Sequence, residues 1–582
     1  MKLIKNNTIK TAGLAVLLAF ALPSCSDFLN RPTVDSYNVD NFYQNADQCY
    51  QAVNTIYNSP WYDFQRFFIQ AGECMAGNIY YGGTNLYQNF AVTNSDGTLG
   101  LASASLWSVN AFCNGVIENI NLKSSASVSQ EVKNTVKGEA LVWKAMAYFY
   151  LVRSFGAVPI IHNNSEVIAS GNYNSVYKAT IPNVYDYIIM TLNQAIEWLP
   201  EKNLPGRLDR YCAYALLSKV YLVKSGYGLN GTRNQDDLNN AAKYAKIVID
   251  QSGRHLLPNY SDLFRISNNI NEECMISWRW AISNIWTSQN SLQSDLAIEG
   301  FSGLNDSWGT WIGPTVDLQD AFGENALSTT RNNRDTRRKA TMMMYGDHYD
   351  YFWRDKGGFD WWNYISSFNT AAEGPSASYK ICGTGANCVK YLVGDAADSK
   401  GEGGGVIGSM LYDNATPLLR LAEVYLIYAE AVIGNAGSTT DQSALAAYNA
   451  VMLRAIPGET PRTSITWEDV WKERRLELSC EGDSWYDYVR RSYYDKDGAI
   501  NELKNQRRST YNAYGMISLY RSGSLDPTYA YYDKTPTIPN PAAMYDDKLK
   551  SFVFPFPDTD VSANPHLLED PVNQDISQYK YQ

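Results

Sequence analysis

Histidine is scarce in this 582-residue chain: His162, His255, His348 and His566 are all there are, too scattered for an HExxH motif. A metal centre built on imidazole is therefore not expected. The nine cysteines show no CxxC pair and no zinc-finger spacing, and most lie in apolar helical stretches where cysteine behaves as a small buried hydrophobe. Positive charge is also short. Lys and Arg number 49 against 60 Asp and Glu, a formal charge of -11, which excludes nucleic acid as the natural partner because phosphate recognition rests on concentrated basic side chains. Beyond residue 24 no apolar run reaches the roughly 20 residues of a membrane-spanning helix.

Catalytic motifs are equally thin. Gly403, Gly405 and Gly408 match GxGxxG, but they follow a Ser, Asp and Lys loop and lead into no clear helix, so no cofactor is expected. Gly482, Asp483 and Ser484 echo the GDS of some esterases, yet no DxxH follows. Asp495, Asp497 and Gly498 make only a fragment of a calcium loop. Paired carboxylates for glycoside hydrolysis stay open, because that chemistry depends on spatial proximity rather than spacing along the chain.

Aromatic residues are what the chain has in surplus: 43 Tyr, 19 Phe and 15 Trp. Such a number of flat, amphipathic side chains exceeds the ordinary needs of a core and points to a recognition surface. With 45% hydrophobic and 19% charged residues, the chain is a large globular protein and not a disordered one.

The N-terminus reads as a targeting segment. Lys2, Lys5 and Lys10 precede an apolar run over 13–23, and the run ends at Leu22, Pro23, Ser24 and Cys25. A cysteine directly after a small residue there resembles a bacterial lipobox, with Cys25 the lipidated first residue of the mature chain; an ordinary secretory signal is the alternative. Removing residues 1–24 takes away three lysines and no acid, leaving a charge of -14. Outside the cytoplasm, Cys382 and Cys388 either close a small disulfide loop or remain two buried thiols.

Periodicity predicts helices over 46–57, 105–120, 128–155, 183–199, 208–224, 238–250, 418–433, 443–454 and 467–478. YLVRS at 150–154 and YLVKS at 221–225 each close an Ala-containing helix and are followed by Gly; EVYLIYAE at 423–430 has the same character. Small residues at helix crossings with Tyr between them are the pattern of degenerate tetratricopeptide-like pairs, in which Tyr148, Tyr150, Tyr221, Tyr425 and Tyr448 serve packing. The expected fold is all-α dominated, with helical repeats at about 40–260 and 415–495, an irregular insertion at about 275–415 and a C-terminal segment at about 495–582.

Two loops concentrate the remaining aromatics. Eight of the 15 Trp fall between residues 278 and 362, and nine aromatics crowd into residues 345–364. A second loop, 72–97, carries Tyr80, Tyr81 and Tyr87 with Asn78, Asn85 and Asn89. Aromatic faces stack on the C–H faces of sugar rings while amides, carboxylates and guanidinium groups bond to hydroxyls. Candidate contacts are Trp286, Trp308, Trp311, Trp353, Trp361, Trp362, Tyr80, Tyr81 and Tyr87 for stacking. Asn78, Asn85, Asp306 and Arg354 are the candidates for hydrogen bonding.

Residues 473–491 read ERRLELSCEGDSWYDYVRR and residues 554–571 read FPFPDTDVSANPHLLEDP. Together with KAMAYFYLVRSFGAVPII at 144–161, PTVDLQDAF at 314–322 followed by Arg334, Asp335 and Arg337, and the lipobox, these resemble the SusD/RagB family of surface glycan-binding lipoproteins of Bacteroidetes. The resemblance covers essentially the whole mature chain as one domain, 25–582. Departures are Ser484 where the family usually has Arg, Asp560 for Glu, and EDP at 569–571 for QNP.

What the resemblance implies is four tetratricopeptide-like units supporting an irregular, loop-rich ligand-binding face. That face binds oligosaccharide or polysaccharide and caps a SusC-like TonB-dependent transporter, at the cell surface, on a lipid anchor in the outer membrane, without catalysis. A peptide-binding relative of the same architecture is the second reading, and a glycosidase the third.

Overall fold

Ser129, Thr180, Asp209 and Asn234 each stand one residue before a helix, and each side chain accepts a hydrogen bond from the backbone N–H three residues on, at 3.3, 3.4, 3.1 and 3.0 Å. These caps satisfy donors that the first helical turn leaves unpaired. They start four of the helices of an array seen in the computed structural model, which describes residues 42–172, 174–328, 330–371, 377, 379–523 and 552–582. Residues 1–41 lie outside that set, and with them the signal segment and Cys25.

The array runs α1 (Ala46–Asn54), α2 (Gly97–Lys123), α3 (Gln130–Phe155), α4 (Ile181–Trp198), α5 (Arg210–Lys224) and α6 (Gln235–Gln251). From α2 on, each helix packs on the next. Then α7 (Leu421–Ile433) lies directly against α6 although some 170 residues separate them in the chain, and α8 (Gln442–Ala455) and α9 (Trp467–Leu478) follow on α7. Helix pairs stacked in this way bury a main core that extends to α7 and a separate cluster between α7, α8 and α9, so each helix depends on its neighbours. The central α3 is buried around its whole circumference from Thr135 to Phe155, with Tyr148 and Tyr150 inside the core and Tyr221, Tyr425 and Tyr448 packed at helix contacts.

The segment between α6 and α7 is anchored where it leaves and where it returns. Strand β2 (Cys274–Trp278) pairs antiparallel with β6 (Thr416–Arg420), placing Cys274 opposite Arg420 and Trp278 opposite Thr416. Among the short strands within it are β3 (Gly313–Pro314), which pairs with β1 (Ile79–Tyr80) from the early loop, and β4 (Met342–Met344), which pairs with β5 (Ala386–Cys388).

Buried charge holds the insertion to the array. Glu477 accepts from Arg420 at 2.8 Å, Arg454 at 2.6 Å and Arg337 at 3.1 Å. Glu273 accepts from Arg420 at 2.7 Å and Arg454 at 2.9 Å, while Glu481 takes Arg420 and Lys390, both at 2.8 Å. A buried carboxylate is tolerable only when paired and hydrogen-bonded, and each of these is. A second knot ties the array itself: Asp483 accepts from Arg153 of α3 at 2.8 Å and Lys219 of α5 at 2.6 Å, and Glu423 of α7 accepts from Lys219 and Arg474, both at 2.9 Å. The carboxylates and arginine of ERRLELSCEGD are thus the fasteners of the fold. Ser484 donates to the buried Glu73 at 3.2 Å, and Asp560 accepts from Ser103, so both departures from the family pattern have partners of their own.

Cys382 and Cys388 are buried free thiols, Cys382 Sγ facing Thr384 Oγ1 at 3.2 Å, so the small disulfide loop is not formed. Asp495, from the calcium-loop fragment, caps the helix Lys496–Asn505 through the Gly498 N–H and pairs with Arg491 at 2.9 Å.

Candidate functional site

Strands β1 and β3 bring together the two loops singled out from the sequence. Tyr80 lies opposite Gly313 and Ile79 opposite Pro314, so the 72–97 loop runs beside the turn that carries Trp308 and Trp311. That turn is fixed from below, because the Trp308 N–H donates to Ser294 O at 3.0 Å and the Gly309 N–H to Ala297 O at 2.8 Å. Gly309 sits so close to the Leu296 backbone that a Cβ would come within 2.3 Å of its carbonyl carbon, which no side chain permits.

Trp308 and Trp311 are consequently held out of the core, 43% and 47% exposed, and Trp286 from the same insertion is 52% exposed. Large apolar rings normally bury themselves, so three open indoles on one loop region are an observation that needs a partner. Trp286 meets Tyr62 edge-on at 6.4 Å. Trp308 Nε1 donates to Asp295 Oδ1 at 2.8 Å, and Arg66 Nη2 donates to the same oxygen at 3.2 Å. Tyr81 completes the group: burial pushes its phenol well up, with Asp295 adding and Arg66 opposing. Asp295 in turn raises the Arg66 guanidinium further above its ordinary value. Tyr62, Asp295, Arg66 and Tyr81 thus link the neighbourhoods of Trp286 and Trp308, Trp311 stands exposed in the turn that follows Trp308, and one ion pair locks an indole in place.

The other residues chosen from the sequence have structural duties. Trp361 is buried and donates to Asn387 Oδ1 at 3.0 Å. Tyr87 is buried against Phe67 and Phe554 and donates to Asp96 at 2.7 Å. Asn78 is buried, donating to Glu73 at 2.9 Å and accepting from Arg475 at 3.0 Å. Asp306 is buried beneath Tyr412, whose hydroxyl donates to it at 2.6 Å, and it also accepts from Ser302 and from the Met410 N–H. None of these four presents a surface to a ligand.

Trp353 and Trp362 are half-buried and spend their faces on other rings, Trp353 on Phe359 and Tyr364, Trp362 on Tyr345 and Tyr520. Trp353 has φ of 53°, a strained value for a bulky residue, and the Asp398 carboxylate holds it there by accepting its N–H at 2.7 Å and that of Arg354 at 3.0 Å. The exposed Arg354 is paired with Glu402 at 2.7 Å. Asn85 is half-buried and bridges Gln70 and the Gln88 N–H within its loop.

Tyr62, Arg66 and Asp295 were not foreseen. The signal lay in WYDFQRFF, where Arg66 is a lone cation among aromatics and has no business in an apolar helix unless a carboxylate waits elsewhere in the fold. Cavities lie away from this surface. One of about 230 Å³ is bordered by Asn114, Glu118, His162, Glu166 and Tyr581, and a wider groove of about 700 Å³ by Asp186, Glu197, Tyr221, Lys224 and Asp237.

Comparison with known proteins places the chain. Residues 214–572 match the model of the SusD family, and residues 39–222 match a model described as starch-binding associating with outer membrane. The chain belongs to the SusD family. It is 31% identical to a SusD-like protein of Bacteroides ovatus over 98% of both chains, and 27% identical to SusD-like protein P2 of Formosa agariphila over 30% of this chain and 32% of that one. Among solved structures it resembles a chain crystallised with xylogluco-oligosaccharide, at TM-score 0.76 and 28% identity, covering 90% of this chain and 99% of the other. The helical tetratricopeptide-like fold expected from the sequence is that of these SusD-like relatives, and the buried ERRLELSCEGD network is where the family signature does its structural work.

Proposed function

We propose that this SusD-family protein is a non-catalytic glycan-binding lipoprotein, anchored through Cys25 in the outer membrane and exposed at the cell surface. It captures oligosaccharide on the platform of Trp286, Trp308 and Trp311, bordered by Tyr62, Tyr80 and Tyr81, and delivers it to a SusC-like TonB-dependent transporter. The observation that carries this reading is the set of three exposed indoles on a fixed scaffold. Membership of the family, the outer-membrane description of the matching model and the xylogluco-oligosaccharide bound by a structural relative support it.

Each indole face that covers on the order of 100 Å² of apolar sugar surface contributes about 2.5 kcal/mol by area. Three faces give a gross gain of roughly 7 kcal/mol, which hydrogen bonds to sugar hydroxyls raise and the lost freedom of association lowers by several kcal/mol. Short oligosaccharides are therefore expected to bind at about 10 μM to about 1 mM, and polysaccharides more tightly because several sites engage one chain. Asp295 itself is committed to Arg66 and the Trp308 indole and is not free to act as acid or nucleophile.

The test is a glycan array probed with the purified protein beside a peptide pool, followed by incubation with each bound polysaccharide. Binding to glycans with no sugar released is the expected result. Binding confined to peptides, or release of product, overturns the reading.

A further inference from the structure

The charge around the platform restricts what kind of glycan fits it. The two segments that build it, residues 57–97 and 278–314, hold only two cations, Arg66 and Arg279, and of their six acidic residues Glu73 and Asp306 are buried, Asp96 is engaged by Tyr87, Asp295 by Arg66 and Glu299 by Lys380 at 3.4 Å, which leaves Asp63. Arg66 donates to Asp295. Arg279 turns the other way, into a cleft bordered by Gly206, Asn269 and Asn271, where it donates to Asn269 O. In the neighbouring 345–364 loop the cations are Arg354 and Lys356, and they are engaged by Glu402 at 2.7 Å and Asp395 at 2.9 Å. Among the described residues of these three loops, every cation has a carboxylate or carbonyl partner.

One acceptor is in the opposite condition. Asp63 is exposed next to Tyr62 and stands at the N-cap position of the helix Phe64–Ile69, yet its carboxylate makes no capping bond. It is an open acceptor at the edge of the indoles. Recognition of a uronate or sulfate group depends on a free guanidinium or ammonium, since an anion brought to a surface without one loses its hydration with nothing to offset the loss. The mature chain's charge of -14 adds repulsion to the approach of a polyanion.

From this we infer that the ligand is an uncharged glycan, bound by stacking on the three indoles and by hydroxyl groups donating to carboxylate and carbonyl oxygens. The inference rests on the glycan reading above and narrows it to neutral polysaccharides, excluding pectate-like, alginate-like and sulfated ones.

Affinity electrophoresis of the full chain tests it, using gels cast with neutral xyloglucan, glucomannan and mixed-linkage glucan beside gels cast with polygalacturonate, alginate and a sulfated galactan. Retardation is expected only in neutral gels, lost in Trp308→Ala, and changed less than about two-fold between about 50 and 500 mM NaCl, because an uncharged ligand has no charge to screen. Trp308-dependent retardation by an acidic polysaccharide overturns the inference while leaving glycan binding intact. No retardation in any gel overturns both.

Discussion

The indole nitrogen of Trp308 donates to Asp295 at 2.8 Å, and the oxygen it uses is the one that pairs with Arg66 at 3.2 Å. An exposed ring is thereby oriented by a carboxylate from its own insertion and a guanidinium from an early helix. A hydrogen bond to a charged group is worth about 1.5–3 kcal/mol. Asp295→Ala should release the ring and weaken oligosaccharide binding about ten-fold, and because Asp295 is buried while Arg66 is exposed it should also lower the melting temperature modestly. Isothermal titration against the same oligosaccharide measures the first, and a thermal melt the second. Equal affinity in the variant would show that Trp308 needs no positioning.

The buried aromatics should answer differently. Trp361 is enclosed and hydrogen-bonded to Asn387, so Trp361→Ala removes a core side chain and is expected to cost about 3–5 kcal/mol of stability. Chemical denaturation reads that loss. The fraction that remains folded should bind ligand as the parent does, since the ring does not reach the surface.

Arg420 is shared by Glu273, Glu477 and Glu481 in the joint between insertion and array. Arg420→Met leaves three buried carboxylates short of a partner, and breaking such a network costs about 3–5 kcal/mol. Denaturant titration should show the loss. A stability within 1 kcal/mol of the parent, on the order of the effect of a surface substitution, would deny the network its fastening role.

Acid should unfold the protein through the same groups. Burial alone would raise Glu477, but Arg454, Arg420 and Arg337 outweigh it and hold the carboxyl well below its ordinary range; Glu481, Glu430, Asp483 and Asp487 are also depressed, by arginine and lysine partners. A depressed native pKa stabilises above the unfolded value and that contribution vanishes as pH falls through the native one. Thermal melts should therefore drop steeply below about pH 4, and the drop should be shallower in Arg420→Met.

Glu73 has the opposite sign in the adjacent window. It is enclosed with four neutral donors, from Asn78, Cys480, Gly482 and Ser484, and burial raises it to about 7. A raised carboxyl favours the folded state below its unfolded value of 4.5 and loses that advantage as pH rises through about 7, a change on the order of 3 kcal/mol. Glu73→Gln is less stable at every pH, because an amide meets two of those donors with a third, but the decline between pH 5 and 8 should flatten. An unchanged slope would mean that another group carries it.

The helices were legible because their apolar spacing and their caps are local properties. The sequence pattern ended α3 at Gly156, which has φ of 74° and so stops the helix where a β-carbon would be strained. The site was legible as a composition and much less as a set of residues. Trp308 and Trp361 sit in similar strings of aromatics, and what separates them is tertiary: Gly309 lifts Trp308 off Leu296, while Asn387 waits in the core for the Trp361 indole. Asp306 and Asn78 likewise look like sugar ligands in sequence and are claimed by Tyr412 and Glu73 from over a hundred and from five residues away. Arg66 and Asp295 lie 229 positions apart, a distance at which no local pattern reports a partner.

The most direct measurement is calorimetric titration of a neutral oligosaccharide that binds the parent protein into the variant Trp286→Ala, Trp308→Ala, Trp311→Ala combined. All three rings are exposed, so the variant should keep the parent's circular dichroism and melting temperature. The account predicts that binding heat disappears, an affinity loss of at least about a hundred-fold. An affinity within about three-fold of the parent, in a folded variant, would contradict it, since the gain calculated for stacking on three indoles cannot be removed so cheaply.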